Sequence, residues 1–87
     1  MEPPQMLMLY PGEVLPWLRR RLGLNRRAFA AWLGVRESAV ERWERRGGDI
    51  PMVYYRRLVP LLERHLATHE GQAFLQRLRD GEEETTV

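Results

Sequence analysis

The sequence predicts an all-α domain of five short helices, and three observations carry that prediction. Apolar residues recur at three- and four-residue spacing through most of residues 13–80, as in Leu15, Leu18 and Leu22, the mark of a helix with one buried face. Turn residues interrupt the pattern at helix-length intervals: Pro11-Gly12, Gly23, Gly34, Gly47-Gly48 and Gly71. The chain has 87 residues and no cysteine. It is therefore one domain near the lower size limit for a self-sufficient core, with no disulfide or thiolate metal site to support it.

The elements follow in order. Residues 1–12 form an N-terminal arm: "MEPPQ" has no periodicity, and "MLMLY" (6–10) is a short apolar run ended by Pro11-Gly12. That run suits a strand or an arm laid on the helices. From Glu13 the pattern is helical, and Pro16 fits because it falls in the first turn. Gly23 closes this helix. Asn25 is a good N-cap for a second helix over 26–33, with Phe29, Ala30 and Leu33 inward. Gly34 makes the turn and Val35 fills the corner. A third helix over 37–45 turns Val40 and Trp43 inward, and Gly47-Gly48 stop it. Pro51 suits the first position of a fourth helix, "MVYYRRLVPLLERHL". Within it Pro60 removes a donor and crowds the carbonyl of Arg56, which predicts a kink or break near Leu58–Val59. Gly71 separates this from a short helix over 71–80, and residues 81–87 read as a disordered acidic tail.

Charge is unevenly spread. The formal net charge is +2, but residues 1–64 hold twelve arginines against seven acids, and residues 65–87 hold two against five. The stretch 17–46 alone holds nine arginines and three acids. Such asymmetry points to a body that faces a polyanion and an acidic end. Every basic residue is arginine. GC-rich codon usage produces that bias, and arginine also brings bidentate phosphate and guanine geometry. "QMLMLY" is too short for a secretory h-region and no run spans a membrane, so a cytoplasmic protein is expected.

Two short helices joined by a glycine turn make a helix-turn-helix. Here "LR…LGLN" (18–25), "FAAWLGV" (29–35) and "AVERWERRG" (39–47) are followed by "IP" (50–51) and a leucine-rich helix. Residues 13–67 resemble the Cro and lambda-repressor-like superfamily, also called the XRE family, which places a helix-turn-helix domain over 13–70. The spacing has a physical basis. A small Ala30 lets the third helix cross the second closely, Gly34 suits a left-handed turn, and Val35, Val40 and Trp43 close the core beneath the third helix. Positions 36, 37, 38, 41, 42 and 45 are left pointing outward.

The resemblance implies a compact five-helix domain that binds double-stranded DNA as a small transcriptional regulator, of repressor, phage or antitoxin type. It implies that the third helix enters the major groove and that two copies read two half-sites. Carried over, Glu37, Ser38, Glu41 and Arg42 face base edges, while Arg26, Arg27, Arg36, Arg45 and Arg46 face phosphates. Glu44 pairs with Arg19 and ties the third helix to the first. The chain departs from the family at Arg36, where Ser or Thr usually caps the third helix, and at Arg26, where Gln is common. The rival reading keeps the fold but binds another protein, such as RNA polymerase or a toxin.

Glu37 at the start of a groove-facing helix has three readings. It favours the helix dipole; it accepts from cytosine N4; or the helix faces a basic protein surface. Trp17 and Trp32 stand where the family is usually polar, and tryptophan is enriched at interfaces. They and the arm residues Met6, Leu7, Met8 and Leu9 form the candidate protein interface, in which the arm or a partner chain covers the rings. The alternative is that the tryptophans widen a small core. His65 and His69 stand four apart beside Glu70, a spacing able to hold a metal, but with no third ligand a solvated helix face is expected. No nucleophile–base pair or phosphate loop is present, so neither an enzyme nor a cofactor is expected.

Overall fold

The structure, a computed structural model, describes residue 7 and residues 10–45 and 50–85, with side chains described through residue 80. Among the described residues it is all-α, with five helices: α1 (Pro11–Arg21), α2 (Arg26–Leu33), α3 (Glu37–Arg45), α4 (Met52–Leu66) and α5 (His69–Thr85). None of them is long and apolar enough to cross a membrane.

α1 begins earlier than the apolar stripe suggests. The Tyr10 carbonyl accepts from the backbone N–H groups of Glu13 and Val14 at 3.0 and 2.9 Å, which nucleates the helix at Pro11. Pro16 therefore lies inside it, past the first turn. Val14, Leu15 and Leu18 are fully buried, and Leu7 of the arm joins them at 0 % exposure. At that residue the arm packs into the core of its own chain. Met6, Met8 and Leu9 lie outside the described residues.

α2 has the cap its sequence predicts: the Asn25 side chain accepts from the Ala28 N–H at 2.8 Å. It ends at Gly34, whose φ of 79° lies in the left-handed region. There the Gly34 and Val35 N–H groups both donate to the Ala30 carbonyl at 2.9 Å. A side chain at Gly34 is strained by the backbone alone.

α3 packs against both α1 and α2. Val40 and Trp43 carry this packing at 0 % and 1 % exposure, each contributing roughly 1.5–3 kcal/mol of apolar burial. Beyond the loop, Ile50 is buried and Pro51 is the N-cap residue of α4 (φ −57°, ψ 145°), one place before the helix rather than within it.

α4 is continuous through Pro60, so of the expected kink or break the break does not occur. The reason is the opposite face: Tyr55, Leu58, Leu62 and Leu66 form one buried stripe on both sides of the proline. Pro60 and Arg56 are exposed, so the missing hydrogen bond falls on residues outside the buried stripe.

Gly71 does not separate two helices. The boundary is Thr68, whose hydroxyl accepts from the Gly71 N–H at 3.0 Å and donates to the His65 carbonyl at 2.6 Å. Gly71 sits in the first turn of α5, where a Cβ would collide with the His65 carbonyl oxygen and the Leu66 backbone of α4. Its absent side chain lets α5 fold back onto α4. α5 also runs on to Thr85, so residues 81–85 are helical where a disordered tail was expected. Glutamates are good helix formers, and Gln76 donates to Asp80 at 3.0 Å one turn on.

α5 covers Trp17. The Trp17 and Phe74 rings stack at 4.6 Å with 6° between their planes. Arg21 lies 5.8 Å from the Trp17 ring centre and Arg77 5.9 Å from that of Phe74. The ring is half-buried, and the face stacked on Phe74 needs neither the arm nor a second chain to cover it. Phe74→Ala should cost about 3–5 kcal/mol and expose Trp17. A red shift of tryptophan emission with an early melt would report it; an unshifted spectrum would mean that Trp17 is covered by something else.

Candidate nucleic-acid interface

The candidate interface comprises the residues expected to face DNA, which stand on α3 and at the start of α2. Because Val40, Trp43 and Glu44 are buried, the opposite side of α3 faces solvent. Arg36, Glu37, Ser38, Arg42 and Arg45 are exposed and Glu41 is half-buried. Arg27, in the first turn of α2, is exposed as well. The periodicity of 37–45 therefore brings the expected outward residues to one side. Arg46 lies outside the described residues.

Arg36 has no acceptor to offer as an N-cap side chain. Its carbonyl accepts from the Ala39 and Val40 N–H groups at 3.0 and 3.5 Å, and Glu37 supplies the negative charge that the first turn favours.

Glu44 is the ionic centre. Its side chain is 4 % exposed, and Oε1 accepts from Arg19 Nε at 2.8 Å. Arg19 also donates through Nη1 to the Leu24 carbonyl at 3.3 Å. The second oxygen, Oε2, accepts from Arg26 Nε at 2.5 Å. One buried carboxylate thus joins α1, α2 and α3. The second pair revises the expectation that Arg26 is simply a phosphate ligand. One edge of its guanidinium is committed to Glu44, although 47 % of the side chain remains exposed. The hydrogen bond to Glu44, then the charge of that carboxylate, raise the Arg26 pKa, with smaller contributions from the charges of Glu41 and Glu37.

The second acid of α3 is also paired. Arg45 Nη2 donates to Glu41 Oε1 at 2.5 Å, one helical turn back, in an exposed bridge. Arg26 and Arg45 both line an open recess of about 270 Å³, together with Gly12, Pro16, Glu41 and Glu44. A neighbouring recess of about 340 Å³ is lined by Ser38, Glu41, Arg42 and Arg45. Glu41 and Arg45 therefore line both concavities, the first at the junction of α3 with α1 and α2 and the second along α3 itself.

Two further features matter. Trp32 remains 51 % exposed, resting on Phe29 at 6.0 Å between ring centres. Arg57 of α4 donates to the Leu33 carbonyl at 3.2 Å and so satisfies the C-terminal end of α2. His65 lies in the last turn of α4 and His69 opens α5, so the two do not share one helix face.

Sequence reasoning missed the Arg26–Glu44 and Arg57–Leu33 contacts, for which no local signal exists. It also passed over Glu41–Arg45, whose four-residue spacing was legible. No protein-family model matches the chain, and neither the curated proteins nor the solved structures contain a match to it.

Proposed function

We propose that this chain binds double-stranded DNA with sequence preference, using α2 and α3 as a lambda-repressor-like helix-turn-helix, and acts as a small transcriptional regulator. The observation that carries this reading is the placement of α3. Its inner side is locked by Val40, Trp43 and Glu44, while Glu37, Ser38 and Arg42 are free on the outer side, flanked by the exposed Arg27, Arg36 and Arg45. Polar groups able to read base edges are thus bordered by cations able to meet phosphates. One module of this size covers a single half-site, so the active form is a homodimer on two half-sites.

Selection from a randomised duplex pool tests the reading. An enriched sequence is expected from the wild type. Arg27→Ala should weaken binding to all duplexes alike and lower the salt slope by about one. Selection of no sequence, with duplex affinity no greater than that of a protein of similar charge, would refute it. One observation favours a second reading as a protein-interaction module. Trp32, Met52 and Val53 are exposed by 51 %, 60 % and 61 %, and an interface built on them would be insensitive to salt.

A further inference from the structure

The Glu41–Arg45 bridge occupies an unusual place for a surface ion pair. Arg45 lines the same recess as Arg26, and each guanidinium gives an N–H to one carboxylate, Arg26 to Glu44 and Arg45 to Glu41. The two carboxylates differ in kind. Glu44 is buried, has a second arginine as partner, and ties three helices together. Its removal leaves buried charge uncompensated. Glu41 is half in water at 46 % exposure and has Arg45 alone as a described ion-pair partner. Its bridge is an ordinary exposed pair one turn apart, which water or a stronger anion displaces at little cost.

We infer that Glu41 is a guard on a two-arginine phosphate site: it holds Arg45 in the free protein, and an incoming phosphate group takes its place between Arg45 and Arg26. This rests on the DNA-binding reading and names one phosphate contact within it. The chemistry is consistent. A phosphate oxygen accepts from the same N–H groups as a carboxylate, carries more negative charge, and pairs with the arginine fork in the same bidentate manner. Arg26 is fixed through Nε by Glu44, which leaves its two terminal nitrogens for an external acceptor. The recess of about 270 Å³ is open to solvent, and both cations line it beside Glu41 and Glu44, the latter already held by Arg19 and Arg26. Glu41 on its rim repels any phosphate that does not arrive with other contacts. A duplex docked by α3 brings those contacts, and a free anion does not. The acid at position 41 thereby lowers indiscriminate affinity for polyanions and raises the dependence of binding on the rest of the interface.

The test uses the full chain as wild type, Glu41→Gln, Arg45→Ala, and the double variant Glu41→Gln/Arg45→Ala. Binding to a mixed-sequence duplex is measured at about 50 mM and about 200 mM salt. Glu41→Gln should tighten duplex binding about threefold to tenfold at the lower salt. In the Arg45→Ala background the same substitution should gain less than about twofold, because the cation that Glu41 guards is gone. Arg45 is 70 % exposed, so its removal leaves the fold intact, which thermal melts check. Inorganic phosphate is the second probe. The Arg26 and Arg45 side-chain N–H resonances should move together on titration, at lower phosphate concentration in Glu41→Gln than in the wild type. Equal gains from Glu41→Gln with and without Arg45 would overturn the guard while leaving duplex binding standing. Phosphate shifts absent from both arginines in Glu41→Gln would do the same. Failure of every variant to bind duplex above a protein of similar charge would overturn both the guard and the DNA reading.

Discussion

Gly71→Ala should lower stability by about 3 kcal/mol or more, at the upper end of what overpacking costs, and the melting temperature by roughly 12–24 °C at the slope expected for a domain of this size. The effect is large because the obstacle is backbone. A Cβ at this position would lie 2.5 Å from the Leu66 Cα and 2.6 Å from its carbonyl carbon, with the His65 carbonyl oxygen nearer still. No side-chain rotation relieves that overlap, so α5 must lift from α4. Lifting it also withdraws Phe74 from Trp17 and opens the Leu62–Leu66 end of the core. Differential scanning calorimetry reads the loss, and tryptophan emission shows whether α5 has moved. A variant that melts with the wild type would show that the two helices are not pressed together at this point.

Glu44→Ala should cost about 3 kcal/mol, near the lower end for a broken buried ion pair. Arg19 is left at 13 % exposure with its Nε unpaired. Arg26 loses its partner too, but at 47 % exposure its charge is largely solvated, so that branch adds little. Arg19→Ala should accordingly destabilise more than Arg26→Ala, and far more than Arg20→Ala, whose side chain is exposed. Glu44→Gln should recover part of the loss, since an amide oxygen still accepts from one arginine. Denaturant titrations of the set give the order directly. Equal midpoints for Arg19→Ala and Arg20→Ala would show that the Glu44 centre does not hold the helices together.

Much of the architecture was legible in the chain. Asn25 before 26–33 and Gly34 after it are local signals, and the capping hydrogen bond and left-handed φ follow from them. The spacing of Val40 and Trp43 fixed which side of α3 is inward, and hence which residues face out. The Arg19–Glu44 pair was legible only through the family resemblance, and the structure contains it. Other readings of single residues misjudged what the surroundings demand. Pro60 taken alone predicts a kink or break, but the buried stripe from Tyr55 to Leu66 keeps α4 continuous despite one missing hydrogen bond. Sequence alone marks Gly71 as a helix boundary, whereas its role is steric and comes from α4. Trp17 looked uncovered because the ring that shields it, on Phe74, lies far along the chain.

By itself, then, the sequence determined the all-α class, the inward and outward sides of α2 and α3, and the concentration of arginine around them. Each of these depends on periodicity, capping or composition, and such effects act within a turn or two of consecutive residues. Only the tertiary structure decided that Arg26 shares a carboxylate with Arg19, that Arg26 and Arg45 line one recess, and that α5 shields Trp17. The partners of Glu44 stand 25 and 18 positions away in the chain. Which of several nearby arginines meets a carboxylate depends on how helices cross and how far a side chain reaches. Those quantities exist only once the apolar faces have packed.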